Sequence, residues 1–412
     1  MKTIATPVPL KERIVLLDVL RGLAIFGILM VNMQLFIKPM SHMLLGFQES
    51  APLADRLSVI FIKFFFEGKF YVLFSLLFGY GSYLFMHKST AEGSSILPLY
   101  RRRMFFLLIF GILHVVLLWP GDILVFYALF GFLLLAFRKV SDKGLLKWTV
   151  WLMIIPTLIT ALFTLLVSLM LKIPEAAQAM EANLEGSAGV FQGIADKAFS
   201  AYTEGSYREM VRMRLYEYQV LLPGVLFFYP VVLAMFLLGH LAARQELMRD
   251  PGAHLPFFRK TAAWGAGIGF PMSLLFVFTY MNMSTSQMDI YQVLNLLAMA
   301  FGGVSLGIFY LSMVVILVSK GNLKTFSYWL APVGRMALTN YLLQSIICTT
   351  LFYAYGFGLM GKLNSLHGIG LALLIFALQI PFSYVWLKHF HFGPFEWLWR
   401  SLTYGKIQPI RK

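Results

Sequence analysis

Residues 16–36 read LLDVLRGLAIFGILMVNMQLF. The run is long enough to cross a bilayer as a helix, which needs about 20 apolar residues. Yet it carries Asp18, Arg21 and Asn32. An ion at that depth costs about 2.5–3.5 kcal/mol even on the lenient insertion scale. Such groups persist when they are paired, used, or both. Asp18 and Arg21 stand three apart and share one helix face, so an ion pair lowers their burial cost. Held by Asp18, Arg21 is also placed to receive an anion inside a bundle. Asn32 follows about 16 Å further along the axis, at 1.5 Å per residue. There it either bonds a neighbouring helix or lines a polar site.

The rest of the chain agrees with a membrane reading. Of 412 residues, 59% are hydrophobic, 16% aromatic and only 13% charged, with a mean hydropathy of +0.75. Soluble domains average about 25% charged. The net charge of +15 would suggest nucleic acid in a soluble protein, but cytoplasmic loops of membrane proteins collect Lys and Arg. No basic run is interleaved with base-stacking aromatics outside an apolar segment, so nucleic acid is not an expected partner; membrane lipids are. Cys348, the single cysteine, excludes an intrachain disulfide and reads as a small buried hydrophobe. The first apolar segment continues into VNMQLFIKPM with no small-residue cleavage site, which marks a retained helix and not a signal peptide.

Apolar runs predict ten spans, near 14–37, 57–87, 103–119, 121–138, 145–171, 218–243, 260–281, 289–319, 330–356 and 368–388. The fold class is all-α, a polytopic helical bundle. EGKF interrupts 57–87 and predicts a broken path, tolerated only where protein or a wet cavity covers it. WPGD splits 103–138 into a helical hairpin. Basic residues alternate from loop to loop. They gather in the N-terminus (Lys2, Lys11, Arg13), at Lys88 and Arg101–Arg103, at Arg138–Lys147, at Arg244–Lys260, at Lys320 and Lys324, and in the tail. WPGD and MSTSQM have none. Both termini are therefore expected in the cytoplasm. The organisation reads as a transmembrane half over 1–171, an external amphipathic segment over 172–217 and a second transmembrane half over 218–412. The external segment is either a surface helix or a lid over an outward-facing site.

GILHVVLLWPGDILVFYALFG, residues 111–131, is the most informative polar stretch. His114 and Asp122 both lie within about two turns of the WPGD corner, so the hairpin can bring them together. An imidazole beside a carboxylate is oriented and made more basic, as a general base requires; alternatively Asp122 caps its helix and His114 bonds a neighbour. Glu67 and Lys69 pair opposite charges beside Gly68, with Lys69 a candidate substrate contact. His240, near a helix end, reads as structural. In GRMALTNYLLQS, Arg335 and Thr339, and Asn340 and Gln344, stand at i and i+4 and form adjoining polar ridges, either interhelical glue or part of a pocket. Trp397, Trp399 and Arg400 have the composition of an interfacial anchor. No HxxxH, ExxH or CxxC occurs, so no metal is expected.

LLDVLRGLAIFGILMVN, GKFYVLFSLLFGYG, GILHVVLLWPGDILVFYALFG, GRMALTNYLLQSIICTTLFY and GPFEWLWRSLTYG occur in this order. Together they resemble the YeiB-like family of bacterial inner-membrane proteins, domain of unknown function 418. That family is distantly similar to transmembrane acyltransferases, including heparan-alpha-glucosaminide N-acetyltransferase and the acyltransferase-3 proteins, through an LDxxRG opening matched here by Leu17, Asp18, Arg21 and Gly22. The resemblance implies a multi-pass protein of the bacterial plasma (inner) membrane. It also implies acyl transfer from a cytoplasmic acyl-CoA such as acetyl-CoA, a co-substrate and not a tightly bound cofactor, to a small-molecule, glycan or lipid acceptor on the external side. Arg101, Arg102 and Arg103 would then suit the donor's phosphates. One departure stands out. Where acyltransferase-3 proteins place a catalytic His after their Arg, this chain has Asn32, which cannot act as a base; His42 matches the sugar N-acetyltransferase's histidine only loosely.

The leading expectation is an acyltransferase with His114 as base, Asp122 as its orienter, Asp18 and Arg21 on the donor, and Arg335 and Asn340 lining the site. A transporter or flippase for a small or lipid-linked solute would use the same ions as substrate contacts. A non-enzymatic membrane protein would use them only to fix helix packing.

Overall fold

The computed structural model describes residues 13–47, 50–87, 96–226, 229–283 and 290–412; side chains at 176–177, 179–188 and 225–226 are also outside it. Lys2, Lys11, Lys88, most of the MSTSQM loop and the side chains of Glu181 and Glu185 fall outside the described residues. The described chain is all helical, without a named strand. In hydrocarbon a helix is the local structure that satisfies every backbone N–H and C=O within one segment.

The N-terminal part holds α1 (Val15–Ile37), a 3-10 turn (Met40–Leu45), α2 (Leu53–Phe65), α3 (Phe70–Met86), α4 (Leu97–Leu117), α5 (Leu124–Phe137) and α6 (Asp142–Met170). Then come α7 (Pro174–Thr203) and α8 (Tyr207–Leu226). The remainder is α9 (Tyr229–Arg244), α10 (Leu255–Asn282), α11 (Ile290–Ser319), α12 (Lys324–Arg335), α13 (Ala337–Phe352), α14 (Ser365–His389) and α15 (Pro394–Tyr404). Side-chain caps mark several starts. Ser141 accepts from the Gly144 N–H at 3.2 Å before α6, and Asn364 from the His367 N–H at 3.0 Å before α14.

The break expected in 57–87 is present. The chain turns at residues 66–69 between α2 and α3, and Gly68 takes φ +86°, a conformation that a β-carbon disfavours. The hairpin expected at WPGD is present too, joining α4 to α5.

Among the described residues, five helices are long and apolar enough to cross a membrane: α1, α6, α10, α11 and α14. A sixth arises if the bent pair α8–α9, at 75°, is one span. Ten were expected. The others fall short for local reasons. α3, α9, α5 and α13 have 17, 16, 14 and 16 residues, while α4 carries Arg101–Arg103 inside its 21 residues.

Position in the bundle follows from burial. α1 is central, 67% of its most apolar window being inside, whereas only 17% of that of α6 is. α6 presents Trp151, Leu158, Leu162 and Phe163 outward, an apolar surface that suits lipid. α1 packs on α3, α12, α13 and α14, while α3 pairs with α9 and α10 with α11. At the α1–α12 crossing a β-carbon on Gly334 would overlap the Asp18 carbonyl. Only glycine lets the two backbones meet there, and this contact brings Arg335 beside Asp18 and Arg21.

Candidate functional site

Asp18 is 2% exposed and accepts from Arg21 at 3.1 Å, as its spacing predicts, but also from Arg13 at 2.5 and 3.0 Å. One carboxylate thus serves two guanidiniums. The second is invisible to helix periodicity because Arg13 precedes α1.

Around this cluster opens a cavity of about 1080 Å³ lined by residues of α1, α3, α4, α5, α9, α12, α13 and α15. Its walls carry Arg13, Arg21, Arg103, Arg335 and Arg400, with Asp18 and Glu396 as nearby acids, besides a paired Arg249 and Glu246 at the rim. Among the described residues, no carboxylate lies within ion-pair distance of Arg103, Arg335 or Arg400. Arg103 lies over the Trp399 ring at 3.7 Å, and Arg400 over Phe392 at 4.5 Å, contacts that hold a cation without neutralising it. Arg335 makes one long bond, 3.4 Å to the His391 carbonyl, and its buried Nε has no partner among the described residues. Burial, Arg13 and Arg21 lower the pKa of Arg400 from its ordinary value, with Tyr404 and Glu396 opposing. The site holds an excess of positive charge, and Arg stays protonated under such conditions.

Glu396 does not sit in an ion pair. Thr339 donates to it from Oγ1 at 2.5 Å and from its backbone N–H at 3.0 Å. This clamp joins the first turn of α13 to that of α15. Trp399, read as an interfacial anchor, is turned inward instead: it is 9% exposed and donates from Nε1 to the Arg103 carbonyl at 2.9 Å. α15 is amphipathic, and its Trp399 face meets α4 because that face is the one that can bury the indole. Helix rotation also separates the three adjacent arginines. Arg103 faces the cavity, whereas Arg101 and Arg102 are exposed.

The second focus is the α4–α5 hairpin. His114 Nδ1 lies 3.0 Å from Asp122 Oδ1, both side chains 0% exposed. The contact lacks the alignment of a directed hydrogen bond. The other carboxylate oxygen accepts the Val125 N–H at 2.7 Å, so Asp122 caps α5 and faces the imidazole at once. His114 Nε2 meets Ser345 Oγ of α13 at 2.8 Å. The corner brings the two side chains together, while Asp122 caps its helix and His114 bonds a neighbouring helix.

The foci are offset in depth. Arg335 closes α12, whereas Ser345 stands on α13 eight residues, about 12 Å along the axis, beyond its first residue Ala337. The cavity covers much of that gap: its lining includes Tyr341, Ile123 and Leu124. Ile123 adjoins Asp122, and the Tyr341 ring lies 5.2 Å from that of His114. His114 and Asp122 themselves are not in its wall.

Other candidates sit elsewhere. Asn340 donates to the Val333 carbonyl at 3.1 Å and to Ser383 at 3.0 Å, and its carbonyl accepts from Gln379 at 3.0 Å. Gln344 donates to Gln379 at 2.8 Å. This face is glue between α13 and α14. Lys69 donates to the Lys63 carbonyl at 2.8 Å, and Lys63 pairs with Glu67 at 2.9 Å, beside α10 and α11. Asn32 is half-buried and does not line the cavity. His240 is buried against Tyr83. Among the described residues no three His, Cys, Asp or Glu side chains gather as metal ligands would.

Sequence reasoning missed a buried network in the segment between the two apolar halves. Arg214 and Glu217 of α8 are 0% exposed. Arg214 donates to the Val116 carbonyl at 3.1 Å, and Tyr207 to that of Leu117 at 2.7 Å, so α8 caps the end of α4 just past His114. Glu217 accepts from Tyr202 at 2.6 Å and from the Ser41 N–H at 2.8 Å. The signal available was the spacing of Tyr207, Arg214 and Glu217, seven and three apart, which places them near one helix face.

Comparison with known proteins fits this architecture. Uncharacterized protein YxaH of Bacillus subtilis is 37% identical, across 98% of this chain and 98% of its own. Residues 242–406 match the model described as Protein of unknown function (DUF418). The chain belongs to the DUF418, or YeiB-like, family. Uncharacterized protein YeiB of Escherichia coli is 29% identical, covering 97% of this chain and 98% of that one. No solved structure matches. The DUF418 match holds Arg335 of α12, Tyr341 and Ser345 of α13, and Glu396 and Arg400 of α15; Asp18, Arg21, Arg103 and His114 precede it.

Proposed function

We propose that this DUF418 protein is an acyltransferase of the bacterial inner membrane. In this reading ten spans place both termini in the cytoplasm, and an acyl group passes from a cytoplasmic acyl-CoA to an external acceptor. The carrying observation is the cavity that links the under-compensated arginines to Tyr341 and Ile123, the immediate neighbours of His114 and Asp122.

Each part has a role. Arg103, Arg335 and Arg400, with Arg21 held by Asp18, receive the donor's phosphates, for which the planar guanidinium is suited. A volume of about 1080 Å³ lies just above the range usual for small-molecule sites, about 300–1,000 Å³, as a donor with a long arm requires. The apolar walls of Ile25, Ile28, Leu77, Phe78 and Leu107 accept that arm. His114 takes the acceptor's proton, and Asp122 stabilises the imidazolium that forms. The similarity of the LDxxRG opening to transmembrane acyltransferases supports the same reading.

The test is binding followed by turnover. Purified protein in detergent is titrated with coenzyme A, and acetyl-CoA consumption is then followed with a mixture of sugar and amine acceptors. Arg103→Gln and Arg400→Gln should each weaken coenzyme A binding about 10–100-fold, the worth of one or two charge-assisted bonds. His114→Ala should abolish turnover while leaving that binding intact. Binding indifferent to both arginines would sink the donor assignment.

A further inference from the structure

Ser345, His114 and Asp122 come from α13, α4 and the α4–α5 corner, far apart in sequence. Ser345 Oγ is 2.8 Å from His114 Nε2, and His114 Nδ1 is 3.0 Å from Asp122 Oδ1. This is the order in which nucleophile, base and orienting carboxylate meet in acyl-transfer enzymes on unrelated folds. With the ring proton on Nδ1, where it needs only a small reorientation to meet the carboxylate 3.0 Å away, the Nε2 lone pair is free to accept the serine hydroxyl.

A serine inside a membrane helix ordinarily satisfies itself on the carbonyl four residues back. Thr349 and Thr350, on the same helix, do so at 2.8 and 2.7 Å. Ser345 instead meets the histidine across the helix interface. It is 2% exposed and stands one turn beyond Tyr341, which lines the cavity.

We propose that Ser345 is the nucleophile that carries the acyl group between the two sides of the membrane. The inference rests on the acyl-transfer reading above and replaces its single step by two. In the first, Ser345 Oγ attacks the thioester carbonyl while its proton passes to His114 Nε2. The C–S bond breaks, the departing thiolate takes that proton, and a serine ester remains. In the second, an external hydroxyl or amine attacks the ester carbonyl and gives its proton to His114. The C–Oγ bond breaks, and the serine oxygen recovers the proton.

A covalent carrier suits this architecture. Tyr341 closes the cavity side, and α8, fastened to the Val116 and Leu117 carbonyls, covers the other. Donor and acceptor can then be admitted at different times, without a passage open at both ends.

The experiment uses the full-length protein in nanodiscs with acetyl-CoA, first without acceptor and then with the acceptor mixture. Intact-protein and peptide mass spectrometry should find one acetyl group on Ser345, with one equivalent of coenzyme A released in a burst. Ser345→Ala should lose the adduct and slow turnover more than about 100-fold, with coenzyme A binding unchanged as proof of folding. Ser345→Cys should restore an adduct, now a hydroxylamine-labile thioester. Turnover by Ser345→Ala within about tenfold of the parent overturns the carrier but leaves direct transfer with His114 as base standing. No acetyl-CoA turnover by the parent protein overturns both.

Discussion

The Tyr341 ring lies 5.2 Å from the His114 ring while the same side chain lines the arginine cavity. One aromatic residue thus separates the charged chamber from the buried histidine. Its hydroxyl makes a long bond, 3.4 Å, to the Gly121 carbonyl at the hairpin corner, so the barrier is mainly steric. Tyr341→Ala should raise modification of His114 by diethylpyrocarbonate several-fold, whereas Tyr341→Phe should leave it near the parent level. Equal labelling in all three proteins would remove Tyr341 as the partition.

Asp18 compensates two guanidiniums that are 29% and 26% exposed. Removing one partner of a fully buried pair costs about 3–5 kcal/mol. Partial solvation discounts that, so Asp18→Ala should cost about 1–3 kcal/mol. Adding Arg21→Met should recover part of the loss, since one unpaired cation is then gone. Denaturation in a single detergent reads both values. Strict additivity would show that Asp18 and Arg21 do not interact.

Glu217 and Arg214 are buried alike but should behave differently. Glu217→Leu strands the Tyr202 hydroxyl and the Ser41 N–H and should cost about 2–5 kcal/mol, from two charge-assisted bonds. Arg214 satisfies one nitrogen, while its Nε and a second terminal nitrogen have no partner among the described residues. Arg214→Met, similar in length, should be neutral within about 1 kcal/mol or stabilising. Thermal unfolding of the two variants side by side checks the contrast, and a large loss in Arg214→Met would contradict it.

Glu396 carries a pH dependence. Burial raises its pKa from the ordinary 4.5, against the bonds from Thr339 that lower it. A carboxyl raised on folding favours the protonated native state. Its contribution is complete below the unfolded pKa and is lost as pH climbs through the folded one. The parent melting temperature should therefore fall relative to that of Glu396→Gln as pH rises from about 4.5 towards neutrality. A difference between the two that stays constant over that range would rule this out.

Particular residues show what periodicity can and cannot reach. The Asp18–Arg21 pair, the break at Gly68 and the WPGD hairpin are consequences of neighbours within a few residues. So is the proximity of His114 and Asp122, because a tight corner returns the chain. Arg13 on Asp18, Trp399 turned onto Arg103, and Asn340 spent on Ser383 and Gln379 depend on which helices become neighbours. The count of apolar runs ran ahead of the structure's five or six long apolar helices. Hydropathy alone does not distinguish a lipid-facing span from a short helix buried among others.

By itself the sequence determined an all-helical membrane chain, its two interruptions and the local charge pairs. Hydrocarbon forces backbone hydrogen bonds to close within each segment, and the spacing of a helix is known in advance. Only the tertiary structure decided that Arg21, Arg103, Arg335 and Arg400 share one chamber and that Ser345 meets His114. The serine–histidine contact joins helices more than two hundred residues apart, and the choice of neighbours turns on close approaches such as Gly334 on Asp18, where the absence of one β-carbon sets which faces meet.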